Sequence, residues 1–433
     1  MADDVCAGEA VAVRLAAGAR LADVMAAADP RAWLALDDGV RLADWYGRTR
    51  WEQTAPLPAD LSLLDEPRLA LALCHRDGRT REAALAPAAR HAGLLPLVVV
   101  RCADWAAPVR ERAREVLRER LDPAGAQTLA PLILLLARRD RGGFAADLLT
   151  ELLRAVPCGP LPGLLSHPDL AVRRFVHRLA AEEKLLSTGE LALAAHRDPD
   201  TVVQRLCADA VLAGLAAGGA DAHDDAIELL LTAHSAAVRA AGVTALRRAG
   251  APERAAGFLT DRATTVRACA RYVVRQHGGD PAAWYRERCA APAVLEPGAV
   301  LGLAECGDRA DADVLWPLVR HADARVRSRA VAGLRMLDAA DVRRLWPLLQ
   351  DPAPGVVREV VAAVLPSAET GTEAIPVPWL VERVGAGWPA HVRFAAFRLL
   401  VRRGGDLRRA AQLAVRDDPD AALRRRIARV AKA

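Results

Sequence analysis

Asp169-Leu-Ala-Val172-Arg173, Asp323-Ala-Arg-Val326-Arg327 and Asp420-Ala-Ala-Leu423-Arg424 are one helix start written three times in a chain of 433 residues. With the Val or its stand-in as marker, the series runs Thr80, Val109, Phe144, Val172, Val203, Val238, Val266, Ala299, Val326, Val357, Val392 and Leu423. Every step lies between 27 and 35 residues. A near-constant period of this size marks a stacked solenoid, whose units bury their apolar faces only against neighbours. The expected fold is all-α: an α-solenoid (superhelix) of about twelve helical hairpins.

The Asp three residues before the marker is an N-cap, its carboxylate accepting from exposed amides at the positive end of the helix dipole. After Val326 come Ala330, Gly333, Leu334 and Leu337, an apolar stripe at helical spacing. This is the second helix of each unit. The arginine after the marker lies four residues beyond the cap, so Asp169 and Arg173, or Asp323 and Arg327, can pair within or between units. Arg173, Arg239, Arg267, Arg327, Arg358, Arg393 and Arg424 are therefore expected to form a structural ladder rather than a binding site. Upstream of the marker runs a first helix with proline expected in its first turn, as at Pro96, Pro131, Pro317 and Pro347. The pairs Gly142-Gly143, Gly218-Gly219, Gly278-Gly279 and Gly404-Gly405 suit left-handed helix ends.

This order of helix, turn, Asp-x-x-Val-Arg and helix resembles the HEAT repeat, particularly the short bacterial form also found in phycobilisome lyase-like proteins. The resemblance covers roughly residues 62–433. It implies a scaffold or adaptor that binds other macromolecules along the groove lined by its second helices. Thr80, Phe144 and Ala299 depart from the marker Val, and Gln204 from the arginine. Residues 1–61 hold at most one degenerate unit, around Asp38-Gly39-Val40-Arg41, and then Gln53-Thr-Ala-Pro-Leu-Pro-Ala, a linker. They are expected to cap the first core layer.

A hydrophobic content of 52% with 26% charged residues suits a core-forming soluble protein. Only Lys184 and Lys432 among the 59 basic residues are lysine, a chain-wide skew that weakens any argument from arginine richness alone. Of the net +5, residues 392–433 carry +8, so the C-terminal end is basic and could attract a polyanion. Cys6, Cys74, Cys102, Cys158, Cys207, Cys269, Cys289 and Cys306 form no Cys-x-x-Cys pair and read as reduced, buried thiols. The N-terminus lacks the charge and apolar pattern of a secretory signal, and the apolar runs are too short to span a bilayer. A cytoplasmic location is expected.

His75, His167, His196, His234 and His321 recur just before helix starts. Turns two units apart lie roughly 20 Å from one another, too far to share a metal ion, and capping of helix C-termini is the favoured role. Trp284, Trp316, Trp346 and Trp379 recur at corresponding places on first helices and are expected to stack as a packing column. Trp45, Tyr46 and Trp51 lie outside the repeat, as core of the cap or as an exposed partner-binding patch. Asp104-Trp105 with Arg110 and Arg114 faintly resembles the groove residues of HEAT-like alkylpurine DNA glycosylases. No catalytic constellation stands out, and no metal or small-molecule cofactor is expected.

Arg174, Arg178, Arg271, Arg275, Arg329, Arg335, Arg398, Arg402, Arg425 and Arg429 fall away from the apolar stripe on second helices. They are the candidates for a partner-binding face, against the alternative of a solvated surface. The expected function is a non-enzymatic scaffold or adaptor holding a protein partner, an acidic segment favoured. The alternative is nucleic-acid binding, with or without glycosylase chemistry.

Overall fold

The computed structural model describes residues 2–25, 29–42, 56–155, 161–215, 224–291, 295–369, 375–416 and 418–431, and among them there is no β-strand. Each of the twelve markers falls in the opening turns of a helix, from Gly78–Ala88 through Leu170–Glu182, Thr264–Gln276 and Ala324–Met336 to Ala421–Ala431. Another helical segment, α or 3-10, precedes each one, so the chain is all-α and built of HEAT-like helical pairs. The expected N-caps form: Asp169 Oδ1 accepts from the amides of Ala171 and Val172 at 2.7 and 3.2 Å, and Asp420 Oδ1 from those of Ala422 and Leu423.

The chain divides into two compact units, residues 1–211 and 212–433. In the first, the helices Ala2–Ala16 and Pro30–Leu42 pack on each other and on the first repeats. Leu15, Leu36, Leu69, Leu85, Leu97, Val116, Ile133 and Leu149 belong to one continuous core. In the second, Leu230, Leu246, Val266, Leu303, Val326, Leu334, Val364, Phe397 and Leu400 are buried along successive repeats.

The first helices are more broken than expected. Pro96 does sit in a first turn, but Pro131 lies inside the helix Pro123–Leu136, which starts earlier at the Asp122 cap. At Pro317 and Pro347 the α-helices Ala312–Leu315 and Val342–Leu345 give way to 3-10 turns. Proline has no amide hydrogen to donate and crowds the carbonyl four residues back, so the helix tightens instead of continuing. Gly278, Gly404 and Gly405 take the expected left-handed conformation, whereas before Gly142 it is Arg141 that does so, at φ 63°. Gly218-Gly219 lies outside the described residues.

Candidate functional site

The arginine after the marker has two jobs, both in its own turn and the next unit's. Arg327 donates Nη1–H to the carbonyls of His321 and Ala322, each at 2.9 Å, and Nε and Nη2 to the two oxygens of Asp351 at 2.8 Å. Arg81 binds the His75 and Arg76 carbonyls and Asp104 in the same way, and Arg239 binds the Ala233 and His234 carbonyls and Asp261. Arg173 reaches Asp198 and Arg393 reaches Asp418. The ladder is real, but its acceptor is not the cap Asp four residues back. It is an Asp five residues before the following marker, because the extended guanidinium spans the gap between stacked helices.

That Asp also builds its own turn. Asp351 Oδ1 accepts from the Ala353 amide at 2.8 Å, and Asp104, Asp198, Asp261 and Asp418 accept likewise from the amide two residues on. In other units the same position is histidine: Nδ1 of His75, His167 and His321 accepts from the amides of Asp77, Asp169 and Asp323 at 3.0 Å. These histidines therefore close the turn rather than cap a helix C-terminus, while His196 lies within the helix Thr188–Arg197. Histidine follows units with Ala145 or Val300 after the marker, and aspartate follows Arg81, Arg173, Arg239, Arg327 and Arg393; Arg110 stays on its own turn's carbonyls, and Arg267 pairs instead with Glu305. A neutral ring completes the turn where no guanidinium arrives; a carboxylate is needed where one does. Gln204, which precedes Ala233, keeps only the carbonyl bond, to Asp198 at 2.7 Å.

The same rule corrects one register. Asp351 stands five residues before Val356, which is fully buried, so the marker there is Val356 and not Val357. Arg358 is consequently off the ladder, with an exposed side chain. It joins a concave surface of the second unit. A cleft of about 580 Å³ is lined by the small residues Gly298, Ala324, Ser328, Ala353 and Gly355, with Arg262, Arg325, Arg329 and Arg358 around it and Glu296 at one side. Across the helix Pro354–Glu369 a narrower cleft of about 160 Å³ shares Gly355 and Arg358, and is lined further by His391, Phe394, Arg398 and Arg426. The Arg426 guanidinium lies 3.9 Å from the Phe394 ring centre, and His391 Nε2 is 3.1 Å from the Asp351 carbonyl.

Of the arginines singled out in the sequence, Arg329 and Arg398 line this surface. Arg174 is paired with Asp200 at 2.6 Å in the first unit. Arg271 is buried against Glu305 at 2.5 Å, so it holds helices together and faces no partner. Arg178, Arg275, Arg335, Arg402, Arg425 and Arg429 are exposed on second helices but line neither cleft. Arg262, Arg325, Arg358 and Arg426 were missed. Trp45, Tyr46 and Trp51 lie outside the described residues.

The tryptophan column forms in part: Trp346 and Trp379 meet edge to face at 5.2 Å, and Arg344 covers Trp316 at 3.7 Å. Asp104 is spent on structure. Burial pushes its carboxyl up, but the Arg81 hydrogen bonds and the Arg101 charge outweigh this and hold it below the usual range. Trp105 is exposed, and Arg110 donates to the Asp104 carbonyl at 3.0 Å. Among the described residues no group of His, Cys, Asp and Glu is arranged to hold a metal ion, and no helix is long and apolar enough to cross a membrane.

No protein-family model and no curated protein matches the chain. Among solved structures it is similar to the crystal structure of Kap121p, over 97% of this chain and 53% of that one, at 12% identity and a TM-score of 0.32. A mutant of Kap121p aligns over the same shares at 13% identity and a TM-score of 0.35. The chain thus spans about half the length of these solved proteins.

Proposed function

We propose that the chain is a non-enzymatic, cytoplasmic scaffold or adaptor that holds a protein partner by an acidic, extended segment laid across the second helices of residues 212–433. Residues 1–61 serve as its N-terminal cap. The observation that carries this reading is the pair of adjoining clefts, which seven arginines and the single acidic residue Glu296 line. Small side chains at Gly298, Ala324, Ala353 and Gly355 let a main chain approach the helices closely, and the guanidinium forks match carboxylates. Area of this kind is sequence-tolerant, and charge complementarity sets orientation and on-rate.

The test is fluorescence anisotropy with a labelled Glu-rich peptide and with labelled duplex DNA. The peptide is expected to bind at low salt and to weaken as salt rises. Arg329→Glu together with Arg398→Glu should weaken it by about tenfold or more, since like charges then face the ligand. Binding of the duplex alone, or an affinity unchanged in the double variant, would refute the assignment.

A further inference from the structure

The two clefts differ in a way that the general scaffold reading does not use. The wide one carries an acidic residue, Glu296, and its Arg325 is already paired with Asp323 at 2.9 Å. The narrow one is lined by Arg358, Arg398 and Arg426, one from each of three successive second helices, with no Asp or Glu in its lining; Arg358 meets its chain neighbour Glu359 at 3.5 Å, and Arg398 and Arg426 bring the further charge. Three like charges brought to one small cleft repel each other, and an anion relieves that repulsion.

We propose that the narrow cleft is a phosphomonoester subsite, and that the partner segment carries a phosphoserine or phosphothreonine beside its acidic residues. This deepens the acidic-segment reading and rests on it. A phosphomonoester brings close to two negative charges and three acceptor oxygens at neutral pH, against one charge for a Glu side chain. Three guanidinium forks present more donors than one carboxylate can accept and match the three phosphoryl oxygens. Arg426 is held by Phe394 and His391 by the Asp351 carbonyl, so two of the lining groups are positioned before a ligand arrives. The wide cleft continues from Gly355 and Arg358 and takes the flanking acidic residues, which is why a peptide rather than a free phosphate is the occupant.

The full-length chain is titrated into three labelled peptides that share one Glu-containing sequence and differ at a central Ser, phosphoserine or Glu. At about 0.15 M salt the phosphoserine peptide is expected to bind at least tenfold tighter than the Ser peptide, and tighter than the Glu peptide. The pair Arg398→Gln and Arg426→Gln should bring the three affinities together, because the phosphoserine peptide loses far more than the Ser peptide does. Arg329→Gln, in the wide cleft, should weaken all three alike. Millimolar inorganic phosphate should remove the phosphoserine advantage and leave the Ser peptide bound. Equal affinities of the phosphoserine and Ser peptides, or an advantage that survives the double variant, overturns the subsite and leaves the acidic-segment reading standing. No binding of any of the three at low salt overturns both. Circular dichroism of each variant confirms that the helices are intact.

Discussion

Replacing Asp351 by Ala removes one end of the rung from Arg327 and also the acceptor of the Ala353 amide. Breaking a buried ion pair by deleting one partner costs about 3–5 kcal/mol, because the other charge is left uncompensated. Here the cost is smaller, since Arg327 keeps the His321 and Ala322 carbonyls and 14% of its side chain stays in water. About 2 kcal/mol for the pair and about 1 kcal/mol for the turn acceptor give roughly 3 kcal/mol for Asp351→Ala. Arg327→Gln should cost about 2 kcal/mol, because Gln retains the carbonyl bond, as Gln204 does with Asp198. Combined, the two changes should cost about 3 kcal/mol rather than the sum of about 5, a coupling of about 2 kcal/mol. Asp351→His should be better tolerated than Asp351→Ala only when residue 327 is Gln, since histidine closes the turn but cannot receive a guanidinium. Two compact units need not unfold together, so the measurement is native-state hydrogen exchange of the helices Ala324–Met336 and Pro354–Glu369. Additive effects within about 0.5 kcal/mol, or no rescue by histidine, would refute the reasoning.

Acid should loosen both units. In Asp104, Asp261 and Glu305 burial pushes the carboxyl up, but arginine hydrogen bonds outweigh it and hold each below its ordinary value of 3.8, 3.8 and 4.5. A folded pKa below the unfolded one means full stabilisation above about pH 4.5 that is lost as pH falls through the folded values, which a thermal series from pH 6 to 3 would reveal as a falling midpoint. Gly302→Ala is expected to cost about 1–3 kcal/mol by thermal denaturation, because a methyl there would meet the buried Tyr285 ring at 2.2 Å while its hydroxyl is fixed to the Leu259 carbonyl at 2.6 Å. Burial pushes the thiols of Cys102, Cys207 and Cys289 up to about 12, so a thiol reagent at pH 8 should modify the exposed Cys6 well before these three, as peptide mapping by mass spectrometry would show.

The repeat was legible because it is local. Asp323 caps within two residues and Val326, Ala330 and Leu334 recur at helical spacing, so position in sequence equals position on the helix. The rungs were half legible: the arginine is adjacent to the marker, but its carboxylate lies 22 to 25 residues on, where an i, i+4 rule does not look. The candidate site suffered from the same blindness. Arg271 has the exposure pattern of a surface residue until Glu305 arrives from another helix, 34 residues away. Arg358 has the sequence position of a rung because Val356 and Val357 are adjacent and either satisfies the pattern; only the Asp351 spacing separates them. Arg426 was passed over for its neighbour Arg425, since the short C-terminal stripe of Leu423 and Ile427 leaves the rotation of that helix underdetermined.

The matched Arg and Asp also constrain how such a chain can grow. A unit ends in a plug and begins with a socket, and copying or deleting one hairpin joins a plug to a socket it did not evolve beside. Val326's unit begins with a histidine socket and ends in an arginine plug, so a tandem duplicate of it would meet its own imidazole, leaving a buried guanidinium without its counter-ion. The hairpin around Val109 receives Arg81 at Asp104 but keeps Arg110 on the carbonyls of its own turn, so it passes no plug onward. Modularity in this array is thus a matter of compatible edges, and the histidine turns are its seams.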